Sequence, residues 1–205
     1  MKLLIVGAAG RTGRLLTEAA LARGHQVSAV VHSSPLTWQQ PNLSLANLRI
    51  AKGDALSATD MAIAIEGHDV IVSILGRRSR SNRTLLDDGA AAMLKAMEGQ
   101  RPHRYIVVSS GLLFANKSLR AMALRLVFRN AIADCSSMER RIVESHAMWT
   151  IVRPPRLTGG DASKYRVEID ARPKGALSLT RASLASFLLD EAESCRYPRT
   201  IVGLG

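Results

Sequence analysis

The chain has 205 residues, 47% of them hydrophobic and 22% charged, the balance of a globular protein and not of a disordered one. That length suits one domain able to bury a core without disulfide or metal staples, and the two cysteines, Cys135 and Cys195, lack metal-ligand spacing. The formal charge of +11 raises nucleic acid as a partner, but the arginines are dispersed and aromatics make up only 4%, so phosphate recognition at a few positions is the better reading.

Met1-Lys2 followed by Leu3-Leu4-Ile5-Val6 has the outline of a signal sequence. The apolar stretch is too short for one, however, and no small-residue cleavage site follows. The same residues read as a buried parallel strand, which wants a continuous apolar run. The protein is therefore expected to begin at Met1 and to be cytoplasmic with reduced thiols. No run approaches the roughly 20 apolar residues that span a bilayer, and no membrane partner is expected.

Gly7-Ala8-Ala9-Gly10-Arg11-Thr12-Gly13 comes next, then a helical stretch with Leu15, Leu16, Ala19, Ala20 and Ala22 apolar, closed by Gly24. Further strands are predicted over 26–31, from Leu48 to about Gly53, over 69–75, 105–109 and 149–152. Helices are predicted over 57–66, from about Thr84 to Met97, and from about Leu119 to Ser145. Strands alternating with helices at this spacing give a parallel sheet covered on both faces. The rhythm fails after Arg153-Pro154-Pro155, where a loop runs to about Ser163. A short strand from Tyr165 to Asp170, a helix from Arg181 to Glu193 capped by Thr180, and a strand over 200–202 follow. The expectation is one α/β domain over 1–205, a doubly wound, mostly parallel sheet with a small C-terminal cap over about 153–205.

The triplet Gly7, Gly10, Gly13 lies between a buried strand and a helix, where each glycine has its own task. The first permits a tight turn, the second lets backbone approach a pyrophosphate, and the third allows close helix–strand packing. Amides at the helix start then hold phosphates, with the Thr12 hydroxyl as a further donor. In this context the pattern predicts dinucleotide binding. At the end of the second strand stands Val31-His32-Ser33-Ser34, without the carboxylate that accepts from an adenosine ribose 2′-hydroxyl. His32, Ser33 and nearby Arg11 could bind a 2′-phosphate instead, so NADP(H) is preferred over NAD(H).

Asp54 and Ala55 follow the third strand, where the adenine edge should lie. Leu75 and Gly76 end the fourth, beside the expected ribose and diphosphate, with Arg77 and Arg78 next in line to reach a phosphate. Ser109-Ser110-Gly111 ends the fifth strand at the carboxyl edge, where ligands bind in open α/β folds. One absence also counts: the residues four beyond Tyr105, Tyr165 and Tyr197 are Ser109, Ile169 and Ile201, so the Tyr-x-x-x-Lys pair of ordinary short-chain dehydrogenases is missing. Acceptors that need little acid catalysis from the protein become the better candidates.

Taken together with Trp149-Thr150-Ile151-Val152-Arg153-Pro154-Pro155 and Ser109-Ser110-Gly111-Leu112-Leu113, these motifs resemble the atypical short-chain dehydrogenases with an NAD(P)H-binding, NmrA-like Rossmann fold. The nearest branch is similar to biliverdin reductase B and the flavin reductases. The resemblance implies a monomer or weak dimer that binds NADPH and reduces flavins, biliverdin-like tetrapyrroles or quinones. It implies that Gly7, Gly10, Arg11, Thr12 and Gly13 hold the diphosphate and 2′-phosphate end, with His32 where the family often has Arg. It implies Asp54 and Ala55 at adenine, Arg78 at a matching Arg, and Ser109, Ser110 and Pro154 around the nicotinamide. Arg156 and Cys135 depart from the family, each standing where a His is typical. Arg153 and Arg156 would suit a planar, anionic acceptor, with Ser110 aligning the rings. The expected function is thus an NADPH-dependent reductase of an electron-poor conjugated acceptor. The alternative is an NmrA-like redox sensor that holds NADP without turning it over.

Overall fold

The computed structural model describes residues 1–32, 45–76, 83–100, 104–114 and 119–205. The first half lays down β1 (Lys2–Val6), α1 (Arg11–Ala22), β2 (Gln26–Val31), β3 (Leu48–Lys52), α2 (Ala58–Ile65) and β4 (Val70–Ser73). After these come α3 (Leu85–Met97), β5 (Arg104–Val108), α4 (Leu119–Val127), α5 (Arg129–Glu144) and β6 (Met148–Arg153). The C-terminal quarter adds β7 (Arg156–Thr158), β8 (Val167–Ile169), β9 (Ser178–Thr180), α6 (Arg181–Ser194) and β10 (Thr200–Leu204).

Eight strands form one sheet in the order β3-β2-β1-β4-β5-β6-β10-β8. Each neighbouring pair is parallel except β10 with β8. The chain works outward from β1 to β3, then returns to the other side of β1 with β4. That reversal opens a crevice between the carboxyl ends of β1 and β4, the place where doubly wound sheets bind ligands. The apolar residues of β1 and β2 explain why these strands lie inside the sheet with both faces covered. Leu3 and Ile5 face the layer of α1 and α6, where Leu16, Ala20, Leu184 and Leu188 meet them. Leu4 and Val6 face the layer of α2, α3 and α5, among Met61, Met93, Met138 and Ile142. A strand buried on both faces has no polar side to alternate with.

Three elements differ from the sequence expectation. The fourth strand stops at Ser73 because β1, its partner, ends at Val6, and the Ile74 amide makes the last rung to the Val6 carbonyl at 2.8 Å. The single helix expected over 119–145 is two, joined at Phe128, whose ψ of 18° is off the helical value. Bonds from the Phe128 amide to Leu124 and from Ile132 to Phe128 carry the chain through the joint, so the apolar periodicity does not mark it. More of the C-terminal segment than expected is built into the main layers. Val202 and Leu204 of β10 are fully buried beside β6, and α6 packs on α1, leaving β7 and β9 as a separate two-stranded sheet. The Thr180 hydroxyl caps α6 by accepting from the Ser183 amide, as the sequence implies.

Side chains pin α1 to α6. Arg23 donates to Asp190 and to Glu193, each at 2.8 Å, His25 meets Glu193 at 2.7 Å, and the Tyr165 hydroxyl donates to Asp190 at 2.7 Å. Burial works to raise the Asp190 carboxyl, but the bonds from Tyr165 and Arg23 outweigh it and hold it below its ordinary value. A carboxyl depressed in the fold contributes stability above its unfolded value, and that contribution disappears as acid protonates it. Asp190→Asn is therefore expected to lose about 1 kcal/mol near neutral pH, discounted for solvent screening of a partly exposed group. The gap between variant and wild type in denaturant titrations should close as the pH falls below 3.8.

Candidate functional site

The bend between β1 and α1 is set by its glycines. Gly7 has φ +91°, and a Cβ there would lie 2.5 Å from the Ile74 carbonyl oxygen, so only glycine lets β1 turn beneath the exit of β4. A Cβ on Gly13 would collide with the Gly7 carbonyl and with Ala8 Cα, so the first turn of α1 rests directly on the bend. Gly10 is the N-cap, its amide bonded to the Gly7 carbonyl and its carbonyl accepting from Arg14, both at 2.9 Å. Among the described residues no side chain caps α1, and its first turn holds no acid. The first amides of a helix point along its axis without intrahelical partners and carry its positive dipole end. Here they face the crevice beside β4. Thr12 is buried at the bend, and Arg11 is exposed.

At the ends of β2 and β3 stand His32 and Asp54. His32 Nδ1 lies 4.0 Å from Asp54 Oδ2, and the His32 side chain is exposed. Asp54 Oδ1 accepts from the Leu56 amide at 3.0 Å and the Asp54 amide donates to Asp60 at 2.8 Å, which fixes the turn through Ala55. The helix N-cap in this segment is Ser57, whose hydroxyl accepts from the Asp60 amide. The sequence shows no carboxylate at the end of β2, but the parallel neighbour brings one to it. Beyond β4, Leu75 packs against Gly89 of α3, and Gly76 is exposed with open space around it. Ser33, Arg77 and Arg78 lie outside the described residues.

On the other side of the crevice, β5 and β6 end together. The Ser109 amide donates to Val152 at 2.7 Å, and the Gly111 amide to Pro154 at 2.9 Å. A Cβ on Gly111 would come within 2.7 Å of that same Pro154 carbonyl oxygen, so the two chain ends form one tight wall. The Ser110 hydroxyl is turned into this wall, accepting from the Leu112 amide at 3.3 Å. The Ser109 hydroxyl is buried and, among the described residues, has no hydrogen-bond partner. A buried hydroxyl without a partner is costly and calls for a ligand group or a water. The adjacent serine, not the one expected to align the rings, is thus the unsatisfied donor.

Arg153 does not serve as the free cation that the sequence suggests. Its guanidinium forks onto Glu139 of α5, with Nε–Oε1 at 2.9 Å and Nη2–Oε2 at 2.5 Å, and lies over the Phe114 ring at 4.8 Å. Glu139 is 5% exposed, so its charge needs that partner and leaves Arg153 little net field to offer elsewhere. Sequence reasoning missed Glu139 and Phe114. The available signal was an acid on the apolar stripe Cys135, Met138, Ile142, a position that demands an internal cation. Arg156, at the start of β7, is exposed and forms no ion pair among the described residues. Cys135 is buried in the core with Met138 and Trp149. Tyr105 is fully buried and its hydroxyl pushed up by desolvation, while Tyr165 is spent on Asp190, which leaves neither as a ready proton donor.

A family profile described as NAD(P)H-binding matches residues 7–194. The chain belongs to that NAD(P)H-binding family. Among its relatives is uncharacterized protein Rv2047c of Mycobacterium tuberculosis, 32% identical over 111 residues, a match spanning 54% of this chain but 12% of the mycobacterial protein. The isoflavone reductase homolog IRL of Zea mays is 29% identical over 92 residues, 42% of this chain and 30% of its own. The chain therefore matches only a minor part of the length of these relatives. Among solved structures, SP1627 of Streptococcus pneumoniae, described as a "putative NADH-flavin reductase", aligns with a TM-score of 0.80 at 20% identity. That alignment covers 100% of this chain and 98% of the other. At that identity the likeness shows the Rossmann fold alone.

The glycine cradle and the orphaned Ser109 hydroxyl both fit a nicotinamide dinucleotide, one at its phosphates and one at its far end. The Glu139–Arg153 pair holds the wall between them and the substrate side. Glu139→Gln should strand the buried guanidinium and destabilise the fold by about 3 kcal/mol, whereas the double variant Glu139→Gln, Arg153→Met should recover most of that loss. Denaturant melts of the three proteins measure it; equal stability of the single variant and wild type would show the pair to be dispensable.

Proposed function

We propose that the protein is an NADPH-dependent reductase that acts on an electron-poor, conjugated acceptor such as a flavin, a quinone or a biliverdin-like tetrapyrrole. The observation that carries this reading is the buried, unpartnered Ser109 hydroxyl at the carboxyl edge, across the crevice from an uncapped helix start. Reduced nicotinamide bound between them supplies a hydride. The amides opening α1, with Gly7, Gly10, Thr12 and Gly13, hold the diphosphate. Asp54 and Ala55 line the adenine end, and Leu75 and Gly76 run alongside. Ser109 donates to the carboxamide, and Pro154 and the Ser110 turn limit how the ring can rotate. Orienting two planar groups is the larger part of the catalysis. Arg156 attracts an anionic acceptor, and Arg153 serves by positioning the wall. The proton that the acceptor takes up comes from solvent, in keeping with the burial of Tyr105 and the engagement of Tyr165 by Asp190.

Preference for NADPH rests on Arg11 more than on His32. Arg11 is exposed in an α1 first turn that holds no acid, whereas His32 has Asp54 4.0 Å away to compete for it. The reductase names borne by SP1627 and by the maize isoflavone reductase homolog support an oxidoreductase reading and leave the acceptor open.

Steady-state oxidation of NADPH and NADH with FMN, a soluble quinone and biliverdin tests the proposal. NADPH should be consumed with at least one of them and faster than NADH. Ser109→Ala should lower kcat/KM by about tenfold, the worth of one hydrogen bond of about 1.4 kcal/mol, while leaving the unliganded protein as stable as wild type or more so. NADPH binding without turnover on any acceptor would favour a sensor that holds the coenzyme and signals to a partner.

A further inference from the structure

Helix α4 is amphipathic the wrong way round for a helix that packs on its own protein. Each residue from Met122 to Asn130 is exposed. Met122 and Leu126 share one face through their i, i+4 spacing, with Val127 at its edge, and the three are 58%, 69% and 74% exposed. Leu124, on another side, is 38% exposed. The apolar stripe therefore points to water, and a contiguous stripe of that kind marks a surface that something covers.

The charges around it are of one sign. Arg125 and Arg129, both exposed, are the only charged residues from Met122 to Ala133. The next acids along α5 are withdrawn from this surface. Asp134 is buried and accepts from the Leu86 and Asp87 amides, and Glu139 is buried against Arg153. A second copy of the chain would bring arginines against arginines about its symmetry axis, which opposes association. Anionic lipid answers both halves of the pattern. Its phosphates pair with the arginines, and the apolar stripe enters the boundary between headgroups and acyl chains.

We infer that α4 docks this protein on membrane surfaces rich in anionic lipid. Among the described residues no helix is long and apolar enough to cross a membrane, and surface docking needs only one face of a short helix. The sequence expectation of no membrane partner looked for a span and so passed over this helix. The inference is independent of coenzyme binding and turnover.

The test is co-sedimentation of the full chain with vesicles of equimolar phosphatidylcholine and phosphatidylglycerol, or of phosphatidylcholine alone. Binding is expected to the mixed vesicles in about 0.1 M NaCl, and not to the neutral ones or in about 1 M NaCl. Leu126→Glu combined with Val127→Glu should lower binding at least about tenfold, with circular dichroism and NADPH affinity unchanged. Arg125→Glu, which keeps the stripe, should also lower it. Three outcomes would overturn the inference. The first is no binding to the mixed vesicles. The second is binding that none of these variants alters, which would belong to the overall charge. The third is a dimer seen by light scattering that the double variant dissolves while vesicles capture nothing.

Discussion

One steric constraint organises this molecule: the chain must turn after β1 where the β4 backbone is already in the way. Gly7 makes the turn at a φ that side chains resist, and its carbonyl becomes the seat of both the Gly10 amide and the backbone of Gly13. Because helix α1 is seated so close, its open amides face the crevice that the sheet order creates between β1 and β4. Anion affinity at this place follows from backbone geometry before any side chain contributes.

The rest of the fold holds that arrangement still. Helix α1 lies on the sheet beside α6, and Arg23 just past its end is held by Asp190 and Glu193 of α6, so the helix start cannot drift from the crevice. On the far side, the ends of β5 and β6 are locked by backbone bonds between Ser109 and Val152 and between Gly111 and Pro154. Glu139 and Arg153 then tie β6 to α5. The outcome is a rigid frame with, among the described residues, one buried hydroxyl left unsatisfied, at Ser109. A frame of this kind suits chemistry that depends on orientation more than on a tuned acid or base.

What the sequence disclosed and what it withheld divide along physical lines. The central strands were legible because Leu3 to Val6 and Val70 to Val72 are unbroken apolar runs and Val27 to Val31 is broken only by Ser28, as burial on both faces requires. The glycine bend was legible because its spacing is a local geometric requirement. Choosing between Ser109 and Ser110 was harder, since one residue of register turns a side chain to the opposite face. Ser109 is in phase with the buried Tyr105 and Val107, a clue the alternation did offer. The Glu139–Arg153 fork and the approach of Asp54 to His32 join residues on different elements, and no spacing rule reaches them. The return of β10 to the main sheet was hidden for the same reason, since packing decided it and local propensity did not.

The central claim is that the backbone amides opening α1 grip the phosphates of a nicotinamide dinucleotide. Nitrogen-15 correlation spectra recorded through a titration with NADPH would follow those amides one by one. The amides of Arg11, Thr12 and Gly13 should shift together, saturate at one concentration and rank among the largest changes in the spectrum. If they stayed in place while NADPH perturbed residues elsewhere, or if nothing moved at all, the account would be contradicted.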